Sequence, residues 1–311
     1  MKCIDAPMFS LLLCVLAGVL SPARADGWKP SEGHEQIPIW PGAIPDAMPN
    51  PKAESTEDGN GAFDVSRPTM TVYEPAGRKT GVAMIVFPGG GYQALAMTGE
   101  GTEICDWLTS RGITCVLLKY RVPDSGPTMK NGRTFYPKVQ TAVQDAQRTI
   151  GLVRQRAAEW NLQPNRIGVI GFSAGGHLAA AVSTRFAQRT YLPVDFADEL
   201  SCRPDFAILV YPGHLWTPGS EVTLRSDIHV RADTPPTFLL QAEDDHVDPV
   251  KHSLTYYIEL QKAGVPTEMH LYAQGDHAFG LHRPELPIGR WPELVEQWLH
   301  TIGMLNDPPA D

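Results

Sequence analysis

Apolar residues in this chain fall into short unbroken runs, separated by stretches with helical spacing. Residues 82–87 (VAMIVF), 113–120 (ITCVLLKY), 167–170, 206–211 and 237–241 are rich in β-branched and aliphatic side chains with little polar alternation. That is the pattern of strands buried on both faces. Residues 69–73 alternate and begin the sheet, and 268–272 supply its last strand. Between the runs, 102–110 reads as a helix closed near Gly112. Residues 138–160 form the clearest helix, with Val139, Ala142, Val143, Ala146, Ile150, Val153 and Ala157 on one face. A small-residue helix follows Ser173, another spans 253–263 and stops at Gly264, and 291–305 closes the chain as a helix. Residues 123–137 and 212–235 read as loops, and 188–203 as a connecting excursion. Strands spaced by helices predict an α/β fold, with a mainly parallel central sheet covered by helices on both faces. In such sheets reactive groups gather at the carboxyl ends of the strands.

The remaining segments divide the chain. Lys2, an apolar run over 9–20 (FSLLLCVLAGVL) and the small-residue pattern Ala23-Arg24-Ala25 read as a signal peptide over 1–25, cut after Ala25. The run is too short to span a bilayer, and no later stretch is a membrane span. The expected location is periplasmic or secreted. Residues 26–68 are rich in Pro, Gly and polar residues and read as an irregular arm wrapping the body, with Ile37 and Trp40 as anchors. Residues 69–305 make one domain, and 306–311 a loose tail. The formal charge is −9 over 311 residues. An acidic chain without a basic cluster argues against nucleic acid and anionic membrane surfaces as partners. Cys105, Cys115 and Cys202 remain after cleavage, none with metal-ligand spacing. Cys105 lies in a helix and Cys115 in an apolar strand, so buried thiols are expected.

Chemistry enters at Gly171-Phe172-Ser173-Ala174-Gly175. Here a β-branched strand runs straight into a small-residue helix. The spacing matches a nucleophile elbow, a tight strand-to-helix turn that exposes a serine hydroxyl. Gly171 and Gly175 leave room where the strand and helix backbones nearly touch, so Ser173 can adopt a conformation most serines avoid. A serine needs a base to take its proton and a carboxylate to orient that base. Among ten histidines, His277 is favoured, because it follows the last strand in a loop between Gly275 and Gly280. His282 is the fallback, His270 reads as structural, and His177 should face the interior or the helix cap. The acid falls in the turn after residues 237–241, with Asp245 first, Asp248 second and Asp244 third. The others would cap the following helix. An oxyanion hole would use the N–H of Ala174 and one from Pro88-Gly89-Gly90-Gly91-Tyr92, either Gly90 or Gly91. A phosphate-binding reading of these glycines fails, because the Lys and Ser/Thr of such a loop are missing. Tyr92, Tyr211, Trp216 and Phe279 lie near strand ends, where they could stack on sugar rings or line an acyl pocket. Core or loop packing explains them equally well. Asp145 and Arg148, at i, i+3 on one helix, are explained by an ion pair with each other.

With these pieces placed, the chain resembles bacterial exported α/β-hydrolases of the acetylxylan-esterase-like, or xylanase-B-like esterase, group. The stretches that carry the likeness are 86–92, 117–123, 145–148, 166–180, 241–245 and 275–280, within a region of similarity over about residues 67–300. The resemblance implies the α/β-hydrolase fold, with Ser173 as nucleophile, Asp245 as acid and His277 as base. Related esterases often carry His ahead of the three glycines. This chain has Pro88, which leaves the bracing of that loop open. The expected function is a serine esterase acting on acetyl or other small acyl esters of plant polysaccharide or oligosaccharide, with no cofactor and no metal. Two other readings stand beside it. One is a prolyl-oligopeptidase-like serine peptidase, and the other is a non-catalytic binding protein that keeps the fold.

Overall fold

The computed structural model describes residues 27–49, 51–123, 128–130, 133–135 and 138–305. The signal-peptide expectation over 1–25 and the tail at 306–311 lie outside these residues. Eight strands form one sheet: β1 (Ile37–Pro38), β2 (Thr69–Tyr73), β3 (Ala83–Phe87), β4 (Thr114–Lys119), β5 (Ile167–Phe172), β6 (Ala207–Val210), β7 (Thr237–Ala242) and β8 (Thr267–Tyr272). Their spatial order is β1-β2-β4-β3-β5-β6-β7-β8. All pairings from β4 to β8 are parallel, and β2 runs antiparallel to both of its neighbours. Every residue of β3, β4, β5, β6 and β7 is buried, as their unbroken apolar runs require. β8 sits at the edge and stays half-exposed along most of its length.

Helices α1 (Glu103–Ser110), α2 (Lys138–Gln155), α3 (Ala174–Thr184), α4 (Lys251–Lys262) and α5 (Trp291–Thr301) cover the sheet. The chain leaves β3 toward β4 on one side, then crosses back to β5 on the other. The carboxyl ends of β3 and β5 therefore flank the switch point, where crevices form in open α/β sheets. α3 is buried over its whole length, which is why its sequence is so poor in large side chains. Among the described residues no helix is long and apolar enough to cross a membrane.

Four local expectations change. First, α2 stops at Gln155, and separate turns follow up to Asn161, which adopts φ +56°. Likewise α5 ends at Thr301, where Gly303 at φ +72° turns the chain and the Met304 N–H bonds back to the Leu299 carbonyl at 2.8 Å. Second, the span read as a loop over 123–137 contains an antiparallel pair, Thr128–Lys130 with Arg133–Phe135. Its register pairs Thr128 with Phe135 and Lys130 with Arg133. Third, Cys105 and Cys115 are joined in a disulfide rather than left as thiols, while Cys202 is a buried free thiol. α1 packs on β4 and brings the two Cα atoms to 5.2 Å, within disulfide reach.

Fourth, Asp145 and Arg148 do not pair with each other. Asp145 accepts from the Trp40 indole N–H (2.8 Å) and from the Arg121 backbone N–H (2.9 Å), and it pairs with the Arg121 guanidinium. Arg148 forks onto Asp195, with both contacts at 2.6 Å, reaches Asp198 at 3.1 Å, and donates to the Ile39 carbonyl. Both side chains are buried, so each needs its own full set of partners, and the neighbouring elements supply them. The N-terminal arm is part of that supply. It also adds β1 to the sheet edge and buries Trp40.

Candidate active site

The elbow forms because two backbones come closer than any side chain allows. A Cβ on Gly171 would lie 2.0 Å from the Gly175 carbonyl oxygen, and one on Gly175 would lie 2.0 Å from that of Phe87. Ser173 is thereby held at φ 52°, ψ −119°, a strained conformation for a serine. Its N–H donates to Val210 O, and its carbonyl accepts from the N–H groups of Gly213 and His177.

The side chains expected to cooperate do meet. His277 Nε2 lies 3.0 Å from Ser173 Oγ, and His277 Nδ1 lies 2.7 Å from Asp245 Oδ2. Asp245 is buried and well satisfied. Its Oδ1 accepts the N–H groups of Val247 (2.9 Å) and Asp248 (2.8 Å), and its Oδ2 also accepts Gln241 Nε2 (3.0 Å). Ser253 donates to Gln241 Oε1 at 2.7 Å and fixes that amide. Burial works against a charged His277 ring. The hydrogen bond and charge of Asp245 outweigh it, with help from Asp248 and Glu100, and the ring is held above its ordinary 6.5.

The other candidates separate cleanly. Asp244 accepts the Asp276 N–H and so ties the acid turn to the histidine loop. His282 pairs with Glu103, and His270 with Glu268. His177 is buried, its Nδ1 2.7 Å from the Tyr92 hydroxyl. Asp248 stands apart from these. Its Oδ2 accepts from Ser173 Oγ at 3.4 Å and lies 3.8 Å from His277 Nε2.

The glycine loop after β3 lies directly on the elbow. A Cβ on Gly89 would come within 2.9 Å of Ser173 Cβ, and one on Gly90 within 2.1 Å of the Ala94 carbonyl oxygen. The Gly90 carbonyl accepts from the N–H groups of Gln93 and Ala94. Among the described residues the Gly90 and Gly91 N–H groups have no backbone partner. Three groups brace the loop beside Pro88. Buried Glu100 accepts the Gly89 N–H at 2.7 Å, Tyr120 donates to Pro88 O at 2.6 Å, and Tyr92 reaches His177 on α3. Burial raises the Glu100 carboxyl against the lowering effect of its hydrogen bonds. Glu100 also accepts the Tyr211 hydroxyl at 2.9 Å, and Tyr211 in turn accepts the Gly280 N–H at 3.3 Å. One chain of bonds therefore joins the glycine loop to the histidine loop.

Sequence reading passed over Glu100 and Tyr120 and did not foresee this use of Tyr211. Their only signals were an acid between two glycines and hydroxyl-bearing rings at strand ends. Of the four aromatic residues offered for sugar stacking or acyl-pocket lining, three lie too deep for stacking. Tyr92, Tyr211 and Phe279 are at most 1% exposed, and a stacking platform needs an open ring face. They pack the floor beneath the site. Trp216 alone is half-buried, with Lys251 Nζ 4.9 Å from its ring centroid.

Comparison with known proteins gives a consistent picture. Residues 70–200 match a family model described as BD-FAE, and residues 216–302 match the prolyl oligopeptidase family. An acetylxylan esterase of Xylanibacter ruminicola is 31% identical over 259 residues, which cover 76% of this chain and 47% of that protein. An endo-1,4-beta-xylanase B of Butyrivibrio fibrisolvens is 27% identical over 223 residues, 66% of this chain and 34% of that one. The chain thus spans about half, or less, of the length of these curated relatives. Among solved structures, the acetyl ester-xyloside bifunctional hydrolase from Caldicellulosiruptor lactoaceticus superposes with a TM-score of 0.70. It shares 32% identity, covering 88% of this chain and 97% of that one. With a neighbour this similar over nearly its full length, the chain belongs to the acetylxylan-esterase-like family of α/β-hydrolases.

Proposed function

We propose that this protein is a serine esterase that removes acetyl or other small acyl groups from plant polysaccharide or oligosaccharide. The observation that carries the reading is the line Ser173–His277–Asp245, joined at 3.0 and 2.7 Å on a strained elbow. The printed names of the relatives, acetylxylan esterase and acetyl ester-xyloside hydrolase, support the substrate class.

In the proposed mechanism Ser173 Oγ attacks the ester carbonyl carbon while His277 Nε2 takes the hydroxyl proton. The carbonyl π-bond opens, and its oxygen becomes an anion that accepts from the N–H of Ala174 and that of Gly90 or Gly91. The C–O bond to the alcohol then breaks, and the alcohol oxygen takes the proton from His277. Water, deprotonated by the same nitrogen, attacks the acyl-serine, and Ser173 leaves with that proton. Asp245 keeps the ring in one tautomer and stabilises its charged form. The proposal includes export, with cleavage after Ala25. N-terminal sequencing of the mature protein checks that part.

Acetate release from acetylated xylan, with mass spectrometry of the liberated acid, tests the activity. Fluorophosphonate labelling that is lost in Ser173→Ala tests the nucleophile and would exclude a non-catalytic binding protein. The prolyl oligopeptidase match over 216–302 favours one second reading, a peptidase. Faster cleavage of a peptide anilide than of p-nitrophenyl acetate would decide for it.

A further inference from the structure

The two carboxylates nearest the serine are satisfied very differently. Asp245 has short donors on both oxygens, between 2.7 and 3.0 Å. Asp248 has none as short among the described residues. Ser173 Oγ is 3.4 Å from its Oδ2, His252 Nε2 is 3.8 Å from its Oδ1, and His277 Nε2 is 3.8 Å from Oδ2. His252 cannot turn to help. Its Nδ1 accepts the N–H groups of Leu215 and Trp216, each at 2.9 Å, and this holds the ring in place. The Asp248 side chain is only 15% exposed. A carboxylate so enclosed should be met by strong donors. Burial raises its carboxyl to about 6, as expected for an acceptor short of donors. The backbone leaves room for the group: a Cβ on Gly213 would come within 2.5 Å of Asp248 Oδ2.

Its position says what part of a substrate it would face. His277 Nε2 must reach both Ser173 Oγ and the departing alcohol oxygen. A carboxylate oxygen within 3.8 Å of that nitrogen therefore borders the leaving group rather than the acyl chain. An ionised carboxylate only accepts hydrogen bonds, so it favours a leaving group with a hydroxyl near the reacting oxygen. In a vicinal diol monoester the free hydroxyl sits about one hydrogen-bond length from the ester oxygen. Alkyl and aryl esters have no such donor.

We propose that Asp248 is a specificity residue whose carboxylate accepts the hydroxyl on the carbon next to the scissile ester oxygen, so that the site selects partly acylated polyols over esters of simple alcohols. The inference rests on the esterase reading above and deepens it. It attaches sugar preference to one atom pair at the reacting centre.

Substrate and protein are varied together. Methyl 3-O-acetyl-xyloside is compared with its 2,4-dideoxy counterpart, using the full chain and Asp248→Asn. The wild-type protein should prefer the hydroxylated ester by about 10- to 100-fold in kcat/KM, the range for a hydrogen bond to a charged group. In Asp248→Asn that preference should shrink to a few-fold, with a melting transition showing that the variant is folded. If the variant does not fold, the wild-type comparison still decides, because loss of both hydroxyls without loss of kcat/KM overturns the proposal. An equal preference in wild type and a folded Asp248→Asn also overturns it. Should wild type hydrolyse neither these esters nor p-nitrophenyl acetate, the esterase reading itself falls and takes this inference with it. Hydrolysis of p-nitrophenyl acetate without hydroxyl preference sinks the inference alone.

Discussion

Replacing Asp248 by Asn should make the protein more stable at neutral pH. The carboxyl moves from its ordinary 3.8 to about 6, chiefly because burial penalises the charge, with Asp245 adding repulsion and His277 opposing. A move of that size disfavours the ionised form by about 3 kcal/mol. The sign follows from proton uptake. Between about pH 4 and 6 the folded protein holds a proton on Asp248 that the unfolded chain has released, so stability falls as pH rises through that window. Above it the whole penalty is present. Asn keeps the shape of the side chain and carries no charge, so Asp248→Asn escapes the penalty. At pH 7.5 its melting temperature should exceed that of wild type by up to about 10 °C, taking about 2–4 °C per kcal/mol for a domain of this size. Near pH 4 the difference should shrink several-fold. Thermal unfolding followed by circular dichroism at both pH values is the assay. A gap that is the same at pH 7.5 and pH 4, or a variant less stable than wild type at pH 7.5, would refute the reasoning.

Other expectations concern the site directly. Asp245→Asn should fold yet lose about 10⁴-fold in kcat, because an amide cannot hold His277 in the required tautomer; steady-state kinetics on p-nitrophenyl acetate checks it. The acid limb of kcat/KM should lie above pH 6.5, since Asp245, Asp248 and Glu100 favour the charged His277 ring and a protonated ring cannot accept the serine proton. A limb at or below pH 6.5 would contradict that balance. Glu100→Ala leaves the Gly89 N–H and the Tyr211 hydroxyl without their acceptor. It should lower kcat by about 10²- to 10³-fold, the usual effect of disturbing an oxyanion hole. Tyr92→Phe strips a buried His177 nitrogen of its partner. It should cost about 1–3 kcal/mol, read from the urea midpoint.

Much of this was legible in the residues themselves. Unbroken apolar runs announce a sheet buried on both faces, and the small residues around Ser173 announce close backbone contact. Both signals are local, because they record what a few consecutive residues can pack against. His277 and Asp245 were singled out by their places after the last strands, a topological rule rather than a contact. What stayed hidden depends on long-range geometry. Nothing in the neighbourhood of Glu100 tells that it will reach Gly89 and Tyr211, because those partners arrive from other elements. Asp145 and Arg148 misled for the same reason: helical spacing proposed a pair, and burial recruited Arg121, Trp40 and Asp195 instead. The Cys105–Cys115 bond required knowing that α1 lies on β4. Tyr92, Tyr211 and Phe279 turn out buried because residue type reveals a liking for rings but not which side of the wall they occupy.

The arm before β2 has a consequence for how the chain is made. Trp40 closes over Asp145, the Ile39 carbonyl receives Arg148, and the Pro45 carbonyl receives Arg121. The Trp40 ring also lies 5.9 and 5.7 Å from the two guanidiniums. Beyond its pairing with β2, this segment thus waits for residues roughly a hundred positions downstream to complete its contacts. Until then its tryptophan has no home, and two arginines and an aspartate lack their covering. Clipping the arm away would not trim a loose end; it would open a sealed ionic seam to water.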